Sequence, residues 1–392
     1  MPFDWQIRNV PLNLSDTFIR FAKSEQFGGI LLIACTVVSL ALANSPLGAT
    51  WLALWHAPLG PLSAEHWVND ALMAIFFLLI GLELERELLV GELSDLRSAS
   101  LPLFAALGGM AAPALIHFSL NAGSHTAAGF GIPMATDIAF ALGILALLGK
   151  RVPLALKVFV VAYAVIDDLG AIVLIAVVYT AELSWLYLAF AAACFAVLLL
   201  MNRVLRVMWL VPYLLGGVVL WFCLLKAGIH ASIAGVLLAF TIPFAARKSD
   251  APSPSRRLEN ALHAPVAYVI LPLFALANTG VVVDGGAIGL LASANGLGIM
   301  AGLVLGKPLG VVALTLLAVK SGLSKLPEGV DVRHVVGAGL LGGIGFTMSI
   351  FITHLAFTGS PAAINGSKLA ILVASLAAGL LGYAWLRTAA RM

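Results

Sequence analysis

VAYAVIDDLGAIVLIAV, residues 161–177, carries two adjacent aspartates, Asp167 and Asp168, inside a run with no other charge. A membrane-spanning helix needs about 20 mostly apolar residues, and the region 155–180 meets that need. An ionised carboxylate at the centre of such a helix costs about 2.5–3.5 kcal/mol on insertion scales, so residues of this kind are paired and functional. A loop or cap reading is poor, because the apolar run continues well past Asp168. Neighbours on a helix point about 100° apart, so one aspartate can face an ion cavity while the other faces an adjacent helix.

The rest of the chain is of the same kind. Of 392 residues 61% are hydrophobic and 10% are charged. Soluble domains carry about 25% charged residues. So little charge cannot cover a water-facing surface, which excludes an ordinary soluble enzyme and a disordered chain. The formal net charge of +3 holds no basic block able to track phosphates, so no nucleic-acid partner is expected. Continuous rather than alternating apolar runs exclude an outer-membrane barrel. Cys35, Cys194 and Cys223 lie apart in apolar runs, as core residues and not as a disulfide framework or zinc site. The fold class that remains is an all-α polytopic membrane protein, one transporter domain over 1–392, with membrane lipid as its surroundings.

Twelve spans are predicted, near 27–44, 67–84, 100–120, 126–149, 155–180, 184–202, 207–225, 229–246, 261–281, 296–319, 335–358 and 366–386. With the N-terminus inside, every Lys and Arg except Lys226, Lys307 and Lys368 falls in an inside segment. That alternation follows the positive-inside rule and puts both termini in the cytoplasm. Residues 1–26 read as a partly amphipathic cytoplasmic lead-in and not a cleaved signal. The outside loop 45–66, punctuated by Pro46, Gly48, Pro58, Gly60 and Pro61, reads as turns with a hairpin, and 247–260 as the most polar inside loop.

Two further charges lie within spans. Asp137, in GIPMATDIAFALG (131–143), follows Gly131, Pro133 and Thr136, which interrupt an apolar run. Lys307 precedes Pro308 in the tenth span. A second interruption, GAGLLGGIGFTMSIF (337–351), crowds five glycines into nine residues of the eleventh span. Glycine alone serves helix packing equally well. Paired interruptions in spans 4 and 11, the middle members of spans 3–5 and 10–12, instead point to inverted repeats whose broken helices cross at mid-membrane. Such a crossing brings helix N-ends together and C-ends together. An acid suits the first junction and a base the second, roles open to Asp137 and Lys307.

Seven ordered stretches then carry a resemblance: VNDALMAIFFLLIGLELEREL (68–88), ATDIAFALGIL (135–145), VIDDLGAIVLIA (165–176), KAGIHASIAGVLLAF (226–240), RLENALHAPVAYVILPLFALANTGV (257–281), LGKPLG (305–310) and GIGFTMSIFI (343–352). Together they resemble the NhaA family of bacterial sodium/proton antiporters. The resemblance implies twelve helices in a bacterial inner membrane, with no cofactor and no enzyme chemistry. It implies exchange of cytoplasmic Na+ or Li+ for external H+, activated at alkaline pH, and homodimerisation through loop 45–66. Carried over by residue, Asp167 and Asp168 bind Na+ and H+, Thr136 and Asp137 sit at the junction, and Lys307 pairs with Asp167. A cytoplasmic pH-response cluster maps onto Glu83, Arg86, Glu87, His230, Glu259 and His263. Asp70 matches a further acid near the outer end of the second span. The chain departs from the pattern at Glu85, where a basic residue is common, and at Asn260, where a histidine is expected.

Spacing alone leaves the cluster open: Glu83, Arg86 and Glu87 fall at i, i+3 and i+4, which also describes a solvated helix end with local ion pairs. His230 reads equally as a packed core histidine. For the carboxylates the chemistry is firmer. Carboxylate and hydroxyl oxygens suit a small hard cation. An aspartate titrating near about 3.9 stays ionised at physiological pH, whereas burial and a neighbouring carboxylate favour the protonated form. Na+ and H+ then compete for one charge, and two protons per Na+ make the exchange electrogenic. An intramembrane aspartyl protease is disfavoured, since it leaves Asp137 and Lys307 without a role. The alternative is a sodium-coupled symporter of similar architecture, although nothing in the sequence marks an organic-substrate pocket.

Overall fold

A computed structural model describes residues 14–180, 183–244 and 253–389. Most of the described residues are helical, because a helix satisfies its own backbone groups where no water can. The helices are α1 (Leu14–Ala43), α2 (Gly48–His56), α3 (Ala64–Val90), α4 (Leu96–Asn121), α5 (Ile138–Leu148), α6 (Leu154–Val178), α7 (Trp185–Arg203) and α8 (Leu210–Ala227). They continue as α9 (Ile233–Ala239), α10 (Pro254–Asn278), α11 (Gly285–Leu291), α12 (Ala294–Lys320), α13 (Val332–Gly342), α14 (Phe346–Ala356) and α15 (Pro361–Ala389). Among the described residues, 9 helices are long and apolar enough to cross a membrane, or 11 if each of two bent pairs counts as one span. Large apolar side chains such as Leu115, Val177, Trp185, Val218 and Leu376 stand exposed around the bundle. Such a surface suits lipid, and the polar groups turn inward.

The structure departs from the sequence reading most clearly over 229–246. Among the described residues of the span predicted there, the helix is confined to the seven-residue α9. It starts late because Gly228 is left-handed and His230 Nδ1 binds the Ser232 hydroxyl in a turn. Its end is set by the Thr241 hydroxyl, which donates back to the carbonyl of Leu238. Loop 45–66 holds α2 followed by a ribbon of β1 (Pro58–Leu59) and β2 (Leu62–Ser63), with Gly60 at positive φ in the turn. Of the lead-in 1–26, residues 1–13 lie outside the described ones, and the rest belongs to α1. Of the inside loop 247–260, residues 247–252 also lie outside them. The remainder is already α10, capped by the Ser253 hydroxyl, which accepts from the Arg256 N–H.

Two features position the site. First, α4 and α12 meet backbone to backbone: a Cβ on Gly108 would strike the Gly310 carbonyl, and one on Gly310 would strike that of Gly108. Small residues permit this approach. Just before it, Gly302–Gly306 forms a widened π-helical turn leading into Lys307 and Pro308. Proline lacks an N–H and crowds the preceding turn, and the widening accommodates it. Second, the chain leaves helical conformation twice within the bundle. Before α5, Ala127–Met134 forms a 3-10 segment containing Pro133, after which Ala135 and Asp137 are extended. Between α13 and α14 the axis turns by 47° around Gly343–Gly345. The breaks bond to each other. Asp137 N–H donates to Ile344 O at 2.6 Å, Thr136 Oγ1 to Gly342 O at 2.9 Å, and Ser349 Oγ to Ile132 O at 2.6 Å.

Gly310→Ala is expected to lower the melting temperature in detergent, with an overpacking cost of about 1–3 kcal/mol. Gly143→Ala is the control, because a Cβ at Gly143 in α5 meets nothing within 4 Å. It should melt at or slightly above the wild-type temperature, since alanine favours the helix.

Candidate ion-binding site

Helix α6 delivers Asp167 and Asp168 to different neighbours, as their angular offset requires. Asp167 is fully buried against α12, where its Oδ2 accepts from Lys307 Nζ at 2.6 Å. The same ammonium donates to the carbonyl of Met134, the last residue of the 3-10 segment. Lys307 is also 0% exposed, so the pair is sealed from solvent. In such a setting the pair itself adds little stability, but removing one partner costs about 3–5 kcal/mol.

Asp168 turns the other way. Together with Thr136, Asp137 and Thr347 it lines a cavity of about 50 Å3. A water needs about 10–15 Å3 of such space, so there is room for a few waters or a partly hydrated small cation. Oδ1 of Asp167 and Oδ1 of Asp168 are buried without a hydrogen-bond partner among the described residues. A buried acceptor left unmatched costs about 1–3 kcal/mol, and more when charged. Two unmatched carboxylate oxygens within adjacent residues therefore form a place that a cation or a proton stabilises.

The fixed charges around them match the helix ends. Asp137 Oδ1 accepts from Phe140 N–H at 3.2 Å and caps α5. Its Oδ2 accepts from Thr347 N–H at 3.2 Å and Thr347 Oγ1 at 2.6 Å, in the first turn of α14. One carboxylate thus sits at two helix N-termini, each equivalent to about half a positive charge. Lys307 occupies the opposite junction, on the Met134 carbonyl and against Gly342, where an added Cβ would lie 3.5 Å from Lys307 Cγ.

Five of the six residues assigned to the pH-response cluster meet between α3 and α10. Arg86 Nε is 3.0 Å from Glu259 Oε1, and Arg86 Nη2 is 3.1 Å from Glu87 Oε1. His263 Nδ1 is 3.6 Å from Glu83 Oε1, and His263 Nε2 is 3.9 Å from Glu259 Oε1. Glu83 and His263 also line the cavity that holds Asp168, so this cluster borders the site directly. Glu85 lies buried beside them and accepts from Ser255 Oγ at 3.1 Å, a second tie between α3 and α10, while Asn260 is exposed.

The sixth residue is a correction. His230 does not join this cluster. Its Nε2 is 3.3 Å from Asp70 Oδ1, and its ring packs edge-on against Phe351 with centroids 5.0 Å apart. Asp70 is thirteen positions before Glu83 on α3, or about 20 Å along the helix at 1.5 Å per residue. His230 precedes α9 and so is held at the other end of α3.

Sequence reasoning missed Tyr163. It is fully buried on α6, one turn before Asp167, and its hydroxyl donates to Ala338 O at 3.1 Å. The i, i+4 spacing to Asp167 was the available signal, but a tyrosine in an apolar run reads first as core.

This geometry meets a consistent set of relatives. The chain is 61% identical to the Na(+)/H(+) antiporter NhaA of Dechloromonas aromatica over 373 residues, covering 95% of this chain and 96% of the relative. It is 52% identical to the Na(+)/H(+) antiporter NhaA of Flavobacterium psychrophilum over 372 residues, covering 95% and 96%. For that of Vibrio campbellii the identity is 49%, covering 94% and 95%. The family described as Na+/H+ antiporter 1 matches residues 19–386, a range that includes both broken spans, the aspartate pair and Lys307. With that match covering nearly the whole chain, the chain belongs to the Na+/H+ antiporter 1 family.

Proposed function

We propose that this protein exchanges Na+ for H+ across a membrane, with both ions competing for the Asp167–Asp168 pair. The observation that carries the reading is the unmatched, buried Oδ1 of Asp168, facing a cavity beside an aspartate held by Lys307. In the deprotonated pair, Na+ takes Asp168 as its first ligand, and Thr136, Thr347 and water supply neutral oxygens nearby. Protons arriving from the opposite side neutralise the carboxylates, and Na+ leaves because its charge partner is gone. Asp137 and Lys307 stay with the helix ends and keep the crossing closed during exchange. Li+, another small hard cation, is accepted at the same oxygens. Two protons per Na+ make the cycle electrogenic, so an inward proton force expels Na+.

The setting is a bacterial inner membrane, in keeping with the named relatives, and the distribution of Lys and Arg supports cytoplasmic termini there. There the cavity mouth at Glu83 and His263 faces the cytoplasm, and the Glu83–Arg86–Glu87–Glu259–His263 group tunes entry with pH. Loop 45–66 stands on the other face, where its ribbon offers an edge for a second copy of the chain. A sodium-coupled symporter is the lesser reading, because the cavity is too small for an organic substrate.

Adding Na+ to purified protein in weakly buffered detergent should release protons. Asp168→Asn should abolish that release with the protein still folded. Normal release at normal Na+ affinity from this variant would refute the site. Lys307→Gln should lower stability by about 3–5 kcal/mol, because Asp167 is left buried and unpaired. The double change Asp167→Asn with Lys307→Gln should recover most of the loss in a melting experiment. Glu259→Gln, which removes one of the two carboxylate partners of Arg86, should move the pH profile of exchange by about 0.5–1 unit, the equivalent of about 0.7–1.4 kcal/mol, with little change in maximal rate. A changed Na+/Li+ preference with an unmoved profile would place Glu259 in the ion site instead.

A further inference from the structure

We infer that Tyr163 is a positioning residue for cation binding: its hydroxyl holds the carboxylates of α6 in register with the broken end of α13, and Gly342 is the residue that makes room for it. The inference rests on the ion-binding reading of Asp167 and Asp168.

The observations form a ring of contacts that begins and ends on one face of α6. Tyr163 Oη donates to Ala338 O at 3.1 Å, one turn before the end of α13. At that end, Gly342 O accepts from Thr136 Oγ1 at 2.9 Å. Two residues before Thr136, Met134 O accepts from Lys307 Nζ, and the same ammonium binds Asp167 Oδ2 at 2.6 Å. Asp167 stands four residues after Tyr163, on the same helix face. Every member of the ring is buried or part of the break. Of these links, the tyrosine is the one that joins α6 directly to α13. Without it, α6 would keep its ties to the 3-10 segment and α12, through Lys307 and, three turns further on, through the Tyr179 hydroxyl on Ala128 O, but this part of the helix would lose its hydrogen bond to α13.

Tyrosine and glycine are matched here. A Cβ on Gly342 would collide with the Tyr163 hydroxyl oxygen, while its next neighbours are Tyr163 Cζ at 3.3 Å and Lys307 Cγ at 3.5 Å. The severe collision is with the oxygen; the ring carbon would have to give by a few tenths of an ångström, and the lysine stem is at ordinary contact distance. Gly342 is helical and needs no special backbone conformation, so what demands glycine at this position is the hydroxyl. This predicts a specific reciprocal behaviour. Tyr163→Phe deletes the oxygen, keeps the ring, and opens the space that an alanine at 342 needs.

The experiment measures Na+-induced proton release and melting temperature for four proteins: wild type, Tyr163→Phe, Gly342→Ala and the double variant. Tyr163→Phe should raise the Na+ concentration for half-maximal release about fivefold, the scale of one net hydrogen bond, with maximal release unchanged. Gly342→Ala should weaken release much more strongly or abolish it. The double variant should return to the half-saturation of Tyr163→Phe, because the clash has been removed. Wild-type half-saturation in Tyr163→Phe would overturn the inference. So would a lowered melting temperature with no change in half-saturation, which marks a merely structural tyrosine. Gly342→Ala that is no better when combined with Tyr163→Phe than in the wild-type background would overturn the pairing with Gly342. Absence of any proton release from the wild type would instead sink the antiport reading on which the inference rests.

Discussion

Backbone groups that leave a helix inside an apolar bundle must find partners there, since no solvent supplies them, and the centre of this protein is organised by that constraint. Two helices are interrupted, at Ala135–Asp137 and at Gly343–Gly345, and each interruption satisfies the other through the Asp137 N–H, the Thr136 hydroxyl and the Ser349 hydroxyl. Neither break is tenable alone. Together they create a region where helix ends, with their partial charges, converge within the core of the protein.

That convergence accounts for the fixed charges. Asp137 accepts from the first turns of α5 and α14, and Lys307 donates to the carbonyl end at Met134. Once placed, Lys307 also holds Asp167, which leaves Asp168 as the acid turned to the cavity. The division of labour between two chemically identical neighbours is thus set from outside α6, by which side the lysine approaches. The close α4–α12 contact at Gly108 and Gly310, and the widened turn before Pro308, bring it there.

The cavity joins the carboxylates to Glu83 and His263, and through His263 and Arg86 to Glu259. Glu83, His263 and Asp168 thus border one cavity, whose remaining walls are largely apolar side chains such as Phe76, Leu79 and Val266. The Asp70–His230 pair occupies the other end of α3 and packs against Phe351 of α14. The two ends of α3 accordingly carry two separate ionisable groups, on either side of the broken spans.

Much of this was legible in the sequence because charge is conspicuous in an apolar chain. Asp137, Asp167, Asp168 and Lys307 stood out by their surroundings, and the Gly and Pro runs marked the breaks. Composition and continuous apolar runs dictated an all-helical membrane bundle, since lipid leaves a backbone few other choices. Partners were another matter. The grouping of His230 with Glu259 and the full span over 229–246 both concern which distant segments touch, and helical periodicity carries no such information. Tyr163 stayed hidden for the same reason: its importance lies in the carbonyl of Ala338, 175 positions away. The residues that could not be indifferent to lipid are readable from the linear chain. Which of them meet is fixed only on folding, because only packed helices bring a particular donor within hydrogen-bond distance of a particular acceptor.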